Sequence, residues 1–115
     1  MDKEIDWHGV RDEVAGYLQD LIRIDTTNPP GNERVAAEYI SGVLTREGFR
    51  TALTESAPGR GNVTTRLSGG AGEPLLLLGH TDVVATDPPH WTHPPFSGAL
   101  VDGYIWGRGA LDMKN

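Results

Sequence analysis

The 115-residue chain contains no cysteine. That excludes a disulfide framework, a thiol nucleophile and a thiolate metal site. Any metal must be held by His, Asp or Glu. An excess of basic charge is also missing. Ten Lys and Arg face 16 Asp and Glu, for a net charge of −6. Phosphate binding needs a basic footprint, so nucleic acid is not expected as the main partner. Long apolar runs are scarce. The longest, Leu75 to Leu78, is far too short to span a bilayer, so no membrane partner is expected. The opening "MDKEIDWHGV" is charged and lacks the apolar core of a signal peptide. By default the protein reads as cytoplasmic. The length suits one small domain. The chain has no internal repeat and no low-complexity tract.

Residues 10 to 24 place Val10, Val14, Tyr17, Leu18, Leu21 and Ile24 on one stripe at helical spacing. "DTTNPPGN" (25–32) is loop chemistry, with Asn32 as an N-cap for a second helix. That helix shows Val35, Ala36, Tyr39, Ile40, Val43 and Leu44 on one face, and Gly48 sits where a C-terminal cap belongs. The period then shortens. Phe49, Thr51 and Leu53 alternate, as do Val63, Thr65 and Leu67, so both stretches read as strands. Gly69 to Gly72 make a turn. Residues 75 to 78 read as a strand covered on both faces. Four prolines keep residues 86 to 98 irregular. "ALV" and "YIW" flank Asp102-Gly103, a hairpin signal. The order of elements predicts an α/β or α+β sheet with helices packed on it. The last residues, "GRGALDMKN", carry no polar tail or cap, and the expectation is an element cut in its middle.

The chemistry starts at "LLLLGHTDVV", residues 75 to 84. His80 and Asp82 are two residues apart, so in extended chain they point to the same side. Ligands in open α/β sheets bind at the carboxyl ends of strands. Neutral imidazole is a common metal ligand. A nearby carboxylate fixes its tautomer and orientation, or Asp82 ligates directly. On these residues alone, a His–Asp pair that satisfies itself at a strand end accounts for the tripeptide as well. "GRGALDMK" offers Asp112 as a candidate ligand. Gly107 and Gly109 permit close backbone approach, although alone they read as a turn. Asp112 stands where a third glycine would complete a dinucleotide fingerprint, so a nucleotide-binding module is disfavoured. His8 reads as solvated, and His90 and His93, around Trp91 in the proline-rich loop, as surface or loop-packing residues.

Together, "LLLLGHTDVV" and "WTHPPFSGALVDGYIWGRGALDMK" resemble the two-zinc aminoacylase/carboxypeptidase G superfamily, which includes acetylornithine deacetylases, succinyl-diaminopimelate desuccinylases and several dipeptidases. The similarity runs from about residue 10 to the last residue. The resemblance implies a three-layer sandwich with a mixed sheet, of which residues 1–115 are the N-terminal segment of the catalytic domain. It implies His80 as a metal ligand, Asp82 as the catalytic aspartate that orients it, and Asp112 as the carboxylate bridging two zinc ions. Gly107 and Gly109 are structural at the site. The bond after the bridging aspartate, Asp112–Met113, is expected to be cis. Two metals bridged by one carboxylate sit roughly 3.5–4 Å apart, polarise the scissile amide and acidify a shared water. Cobalt or manganese would accept the same ligands.

The family's general-base glutamate, its remaining ligands and its lid or dimerisation domain lie beyond the equivalent of Asn115. Residues 1–115 alone are therefore expected to be inactive and to bind zinc weakly. The substrate is a small N-acyl-amino acid or a peptide, and deacylase, dipeptidase and carboxypeptidase stay open. The competing reading is a non-catalytic remnant or an oligomerising domain. Without cover from later elements, the leucine strand should expose an apolar patch and favour self-association into a homo-oligomer.

Overall fold

The computed structural model describes residues 4–115. The first three residues of the charged N-terminal stretch lie outside it. Two helices come first, α1 (Trp7–Arg23) and α2 (Glu33–Arg46). Two antiparallel hairpins follow: β1 (Thr51–Glu55) with β2 (Gly61–Thr65), and β3 (Ala99–Val101) with β4 (Tyr104–Trp106). The chain is thus mixed α and β. No described helix is long and apolar enough to cross a membrane.

Asp6 starts α1 by accepting bonds from the backbone N–H groups of His8 and Gly9, both at 3.1 Å, which satisfies two donors that a helix start leaves free. Asn32 does stand at the N-cap of α2, but its side chain does not cap. Its amide reaches back to the Asp25 carbonyl instead. The β3–β4 turn is the one Asp102-Gly103 promises. Both residues have positive φ, 50° and 81°, which matches the twist of the flanking strands.

The core is small. Ile22, Ala36, Ala37 and Val83 are its buried apolar side chains. Ile22 lies outside the stripe that helical spacing picks out. Val10 and Val14 on that stripe are exposed, because the partners of α1 gather at its C-terminal end. There Gly107 lies directly against the Ile22 side chain, and Gly98 against the backbone of Gln19. A Cβ at either glycine would collide.

The largest correction concerns residues 75 to 78. They form no strand, and among the described residues no sheet neighbour pairs with them. Leu75, Leu76, Leu77 and Leu78 are 81–87% exposed. A continuous apolar run reads as a two-faced buried strand only when flanking strands supply both neighbours. The two hairpins stand apart as separate two-stranded sheets, and neither reaches this segment. The segment is held at its far end. Val83 donates to the Thr26 carbonyl at 3.1 Å and accepts from the Asn28 N–H at 2.9 Å, a parallel bridge between Thr27 and Val83. The Thr26 hydroxyl also bonds the Thr81 carbonyl. The loop after α1 therefore fixes the stretch that carries His80 and Asp82.

Candidate metal centre

Three side chains named from sequence meet at one point. His80 Nδ1 lies 3.1 Å from Asp82 Oδ1, and His80 Nε2 lies 3.0 Å from Asp112 Oδ1. Asp82 and Asp112 thus occupy opposite nitrogens of one ring. The first contact is local, across two residues of extended chain. The second spans 32 residues and depends on the turn that follows β4.

The electrostatics of this trio are unbalanced. A neutral imidazole carries one N–H, yet both of its nitrogens face carboxylates. If Nδ1–H donates to Asp82, the lone pair of Nε2 points at an oxygen of Asp112. Two acceptors at 3.0 Å need a cation between them, a proton or a metal ion. Two ligands on one tetrahedral zinc stand roughly 3.4 Å apart, from metal–ligand distances of about 2.0–2.2 Å. The pair would open by a few tenths of an ångström to admit the ion, and the exposed Asp112 side chain has room to do so. The donor chemistry therefore suits a divalent metal, which Nε2 and Asp112 could hold while Asp82 orients the ring. Among the described residues, no group of three or more such side chains is arranged to hold an ion, so these residues offer part of a ligand set.

Without metal, the proton takes that place. The hydrogen bond to Asp112 raises the His80 pKa above 6.5 against the pull of desolvation, and Asp82 adds to the rise. A pKa raised by folding means that the pair's contribution is fully present below about pH 6.5 and fades as pH climbs through the higher folded value. In a metal-free NMR titration, His80 is expected to titrate above the ordinary imidazole value of 6.5. Asp112→Asn should bring it down. An unchanged His80 midpoint in that variant would show that the contact does not form in solution.

Sequence reasoning missed the supports of the trio. Asn28 donates from Nδ2 to Asp82 Oδ2 at 3.3 Å. Behind it, Arg60 reaches the Asn28 side-chain oxygen at 3.4 Å and pairs with the buried Glu33 at 2.9 Å. Both oxygens of Asp82 are thereby engaged. Lys114 is the second omission. It is almost fully buried, and its Nζ donates to the Leu21 and Ile24 carbonyls at the end of α1, at 2.9 and 2.6 Å; the Leu21 carbonyl also accepts from the Ile24 N–H at 3.2 Å. Burial pushes its amine down to about 8 while Asp25 pulls it up. No local pattern announces contacts made 54 and 90 residues apart.

Gly107 and Gly109 lie in the turn that carries Asp112. Gly109 has φ +88°, and a Cβ there would come within 2.9 Å of Val83. His90 pairs with Asp87 at 2.6 Å within the proline-rich loop, and His93 stacks edge-on against Trp106. Neither joins the trio, as the loop-packing reading anticipates. The expected cis bond is absent. Among the described residues the cis bonds are Asn28–Pro29 and Pro29–Pro30. Asp112 is 91% exposed, and such an open turn does not force the dearer isomer on Asp112–Met113. A cleft of about 440 Å³ opens beside the trio, lined by Leu78, His80, Asp82, Arg60, Asn62 and Met113 among others.

Residues 76–115, which hold all of the trio, match the model of peptidase family M20/M25/M40. Over 111 residues, 93% of its length, the chain is 38% identical to a succinyl-diaminopimelate desuccinylase of Methylobacterium radiotolerans. It is 42% identical over 101 residues to that of Methylorubrum extorquens, and 41% over 96 residues to that of Paracoccus denitrificans. The chain belongs to the M20 superfamily. It spans about a quarter of the length of these relatives, 28%, 26% and 24% respectively. M20 membership supports a hydrolase, and the family implies a divalent metal. The superfamily resemblance carried by "LLLLGHTDVV" and "GRGALDMK" is the right one.

Proposed function

We propose that residues 1–115 are the N-terminal segment of the catalytic domain of a metal-dependent amidohydrolase, built as a three-layer sandwich. It would cleave a small N-acyl-amino acid or peptide amide. The named activity of the relatives favours an N-succinyl amino acid. The observation that carries this reading is the convergence of His80 Nε2 and Asp112 Oδ1, with Asp82 on the opposite ring nitrogen. His80 and Asp112 would hold zinc, with Asp112 shared between two ions. Cobalt or manganese suits the same donors. When bound, the metal supplies Lewis acidity to the scissile carbonyl and to water.

The chain's own residues do the positioning. Asp82 accepts the Nδ1 proton of His80, which leaves the Nε2 lone pair free to bind. Asn28 holds the second oxygen of Asp82, so the carboxylate does not swing away. The cleft beside His80 would receive the substrate. Two donors make an incomplete set, so residues 1–115 alone should hydrolyse nothing. The test is a chimera in which this segment replaces the equivalent part of the Methylobacterium radiotolerans desuccinylase. It should hydrolyse an N-succinyl amino acid, and chelator should stop it. A folded, metal-loaded chimera without that activity would overturn the reading. So would chelator-sensitive hydrolysis by residues 1–115 alone, on the matter of the incomplete site.

One observation favours a second, non-catalytic property, self-association. Four consecutive leucines stand in water, and burying each is worth roughly 1.5–3 kcal/mol. Sedimentation is expected to show concentration-dependent association that Leu76→Glu with Leu78→Glu abolishes. A monomer at all concentrations would contradict it.

A further inference from the structure

The two halves of the candidate centre are anchored on one short stretch. Thr26 and Asn28 hold the segment that carries His80, through the Thr81 and Val83 backbone. Lys114 holds the Asp112 turn, through the Leu21 and Ile24 carbonyls. Its backbone N–H also closes that turn on the Gly109 carbonyl at 2.7 Å. The two anchors are thus the end of α1 and the five residues after it. Asp112 itself is exposed, so its place is set by the turn and not by packing of its own side chain. Lys114 is two residues away on the same turn.

We propose that Lys114 is a positioning residue for the metal centre, and that its clamp on the end of α1 sets the reach of Asp112 to His80. The inference rests on the reading of His80 and Asp112 as metal ligands. Lysine suits the task. A four-carbon stem crosses the buried layer, and one ammonium donates to two carbonyls at the negative end of the α1 dipole. The planar fork of arginine would meet those carbonyls less well.

The test uses residues 1–115 with labelled imidazoles at one fixed pH. Lys114→Met keeps the stem and removes the donors. It should erase the Nε2 shift that reports the Asp112 contact, as Asp112→Asn does, while helix content stays at the parent level. Zinc affinity read at His80 should fall about tenfold or more, within the range seen when supporting partners of a ligand are lost. Lys114→Arg should restore part of the Nε2 shift. If Lys114→Met does not fold, Lys114→Gln is read in its place and should show the same direction of change. A parent-like Nε2 shift in the folded variant overturns the proposal. Loss of the shift in a chain whose histidines ignore zinc would uphold the positioning role and overturn the metal reading instead.

Discussion

In the chimera, His80→Ala is expected to abolish metal-dependent hydrolysis, while Asp82→Asn lowers metal affinity or turnover by about 10–100-fold. The difference in size follows from what each removes. Alanine deletes a donor atom. Asparagine keeps the shape of Asp82 but lacks the charge that holds the proton on His80 Nδ1, now 3.1 Å away. The ring keeps its place and loses its preferred tautomer. Zinc content by calorimetry and turnover under saturating zinc separate the two cases. Equal losses in both variants would mean that Asp82 ligates directly, the alternative its spacing allows. No loss in either would remove both residues from the site.

Gly109→Ala is expected to lower stability by roughly 2–5 kcal/mol. A non-glycine residue in the left-handed region costs about 1–2 kcal/mol, and crowding a packed site adds about 1–3 kcal/mol. Both apply here, at φ +88° with Val83 2.9 Å from the new Cβ. For a domain of this size that is a fall of roughly 10–20 °C in Tm. Gly72→Ala is the control, since nothing lies within 4 Å of its Cβ, and it should stay within about 0.5 kcal/mol. The Gly109 variant should also lose the His80–Asp112 contact, because relief of the collision moves the turn away from Val83. Equal melting temperatures for the two variants would mean that the turn is not packed against Val83 in solution.

The parts of the fold legible in sequence are those decided by neighbours in the chain. Helical spacing gives α1 and α2, and Asp102-Gly103 gives the β3–β4 hairpin. His80 and Asp82 were legible together because two residues of extended chain suffice to align them. "GRGALDMK" offered Asp112 only as a candidate that reads equally as part of a turn, and its role as a bridging ligand came with the resemblance. The leucine run misleads because its burial depends on strands that residues 1–115 do not place beside it. Asn28 and Lys114 were hidden for the opposite reason. Their partners are on this chain, but the backbone must fold across 54 and 90 residues to bring them near. "DTTNPPGN" therefore reads as a loop, although it anchors the candidate site.

The measurement that tests the central claim most directly is a zinc titration of residues 1–115 followed at all four imidazoles. Two of them, His80 and His90, face carboxylates, so the structure contains its own competitor. His80 sits between two, with Asp112 across Nε2, whereas His90 has Asp87 alone on Nδ1. The account predicts that zinc shifts His80 first, that the change centres on Nε2, and that Asp112→Asn removes it while His90 is unaffected. Zinc that settles on His90, or leaves His80 unmoved, would contradict the assignment of His80 and Asp112 as metal ligands.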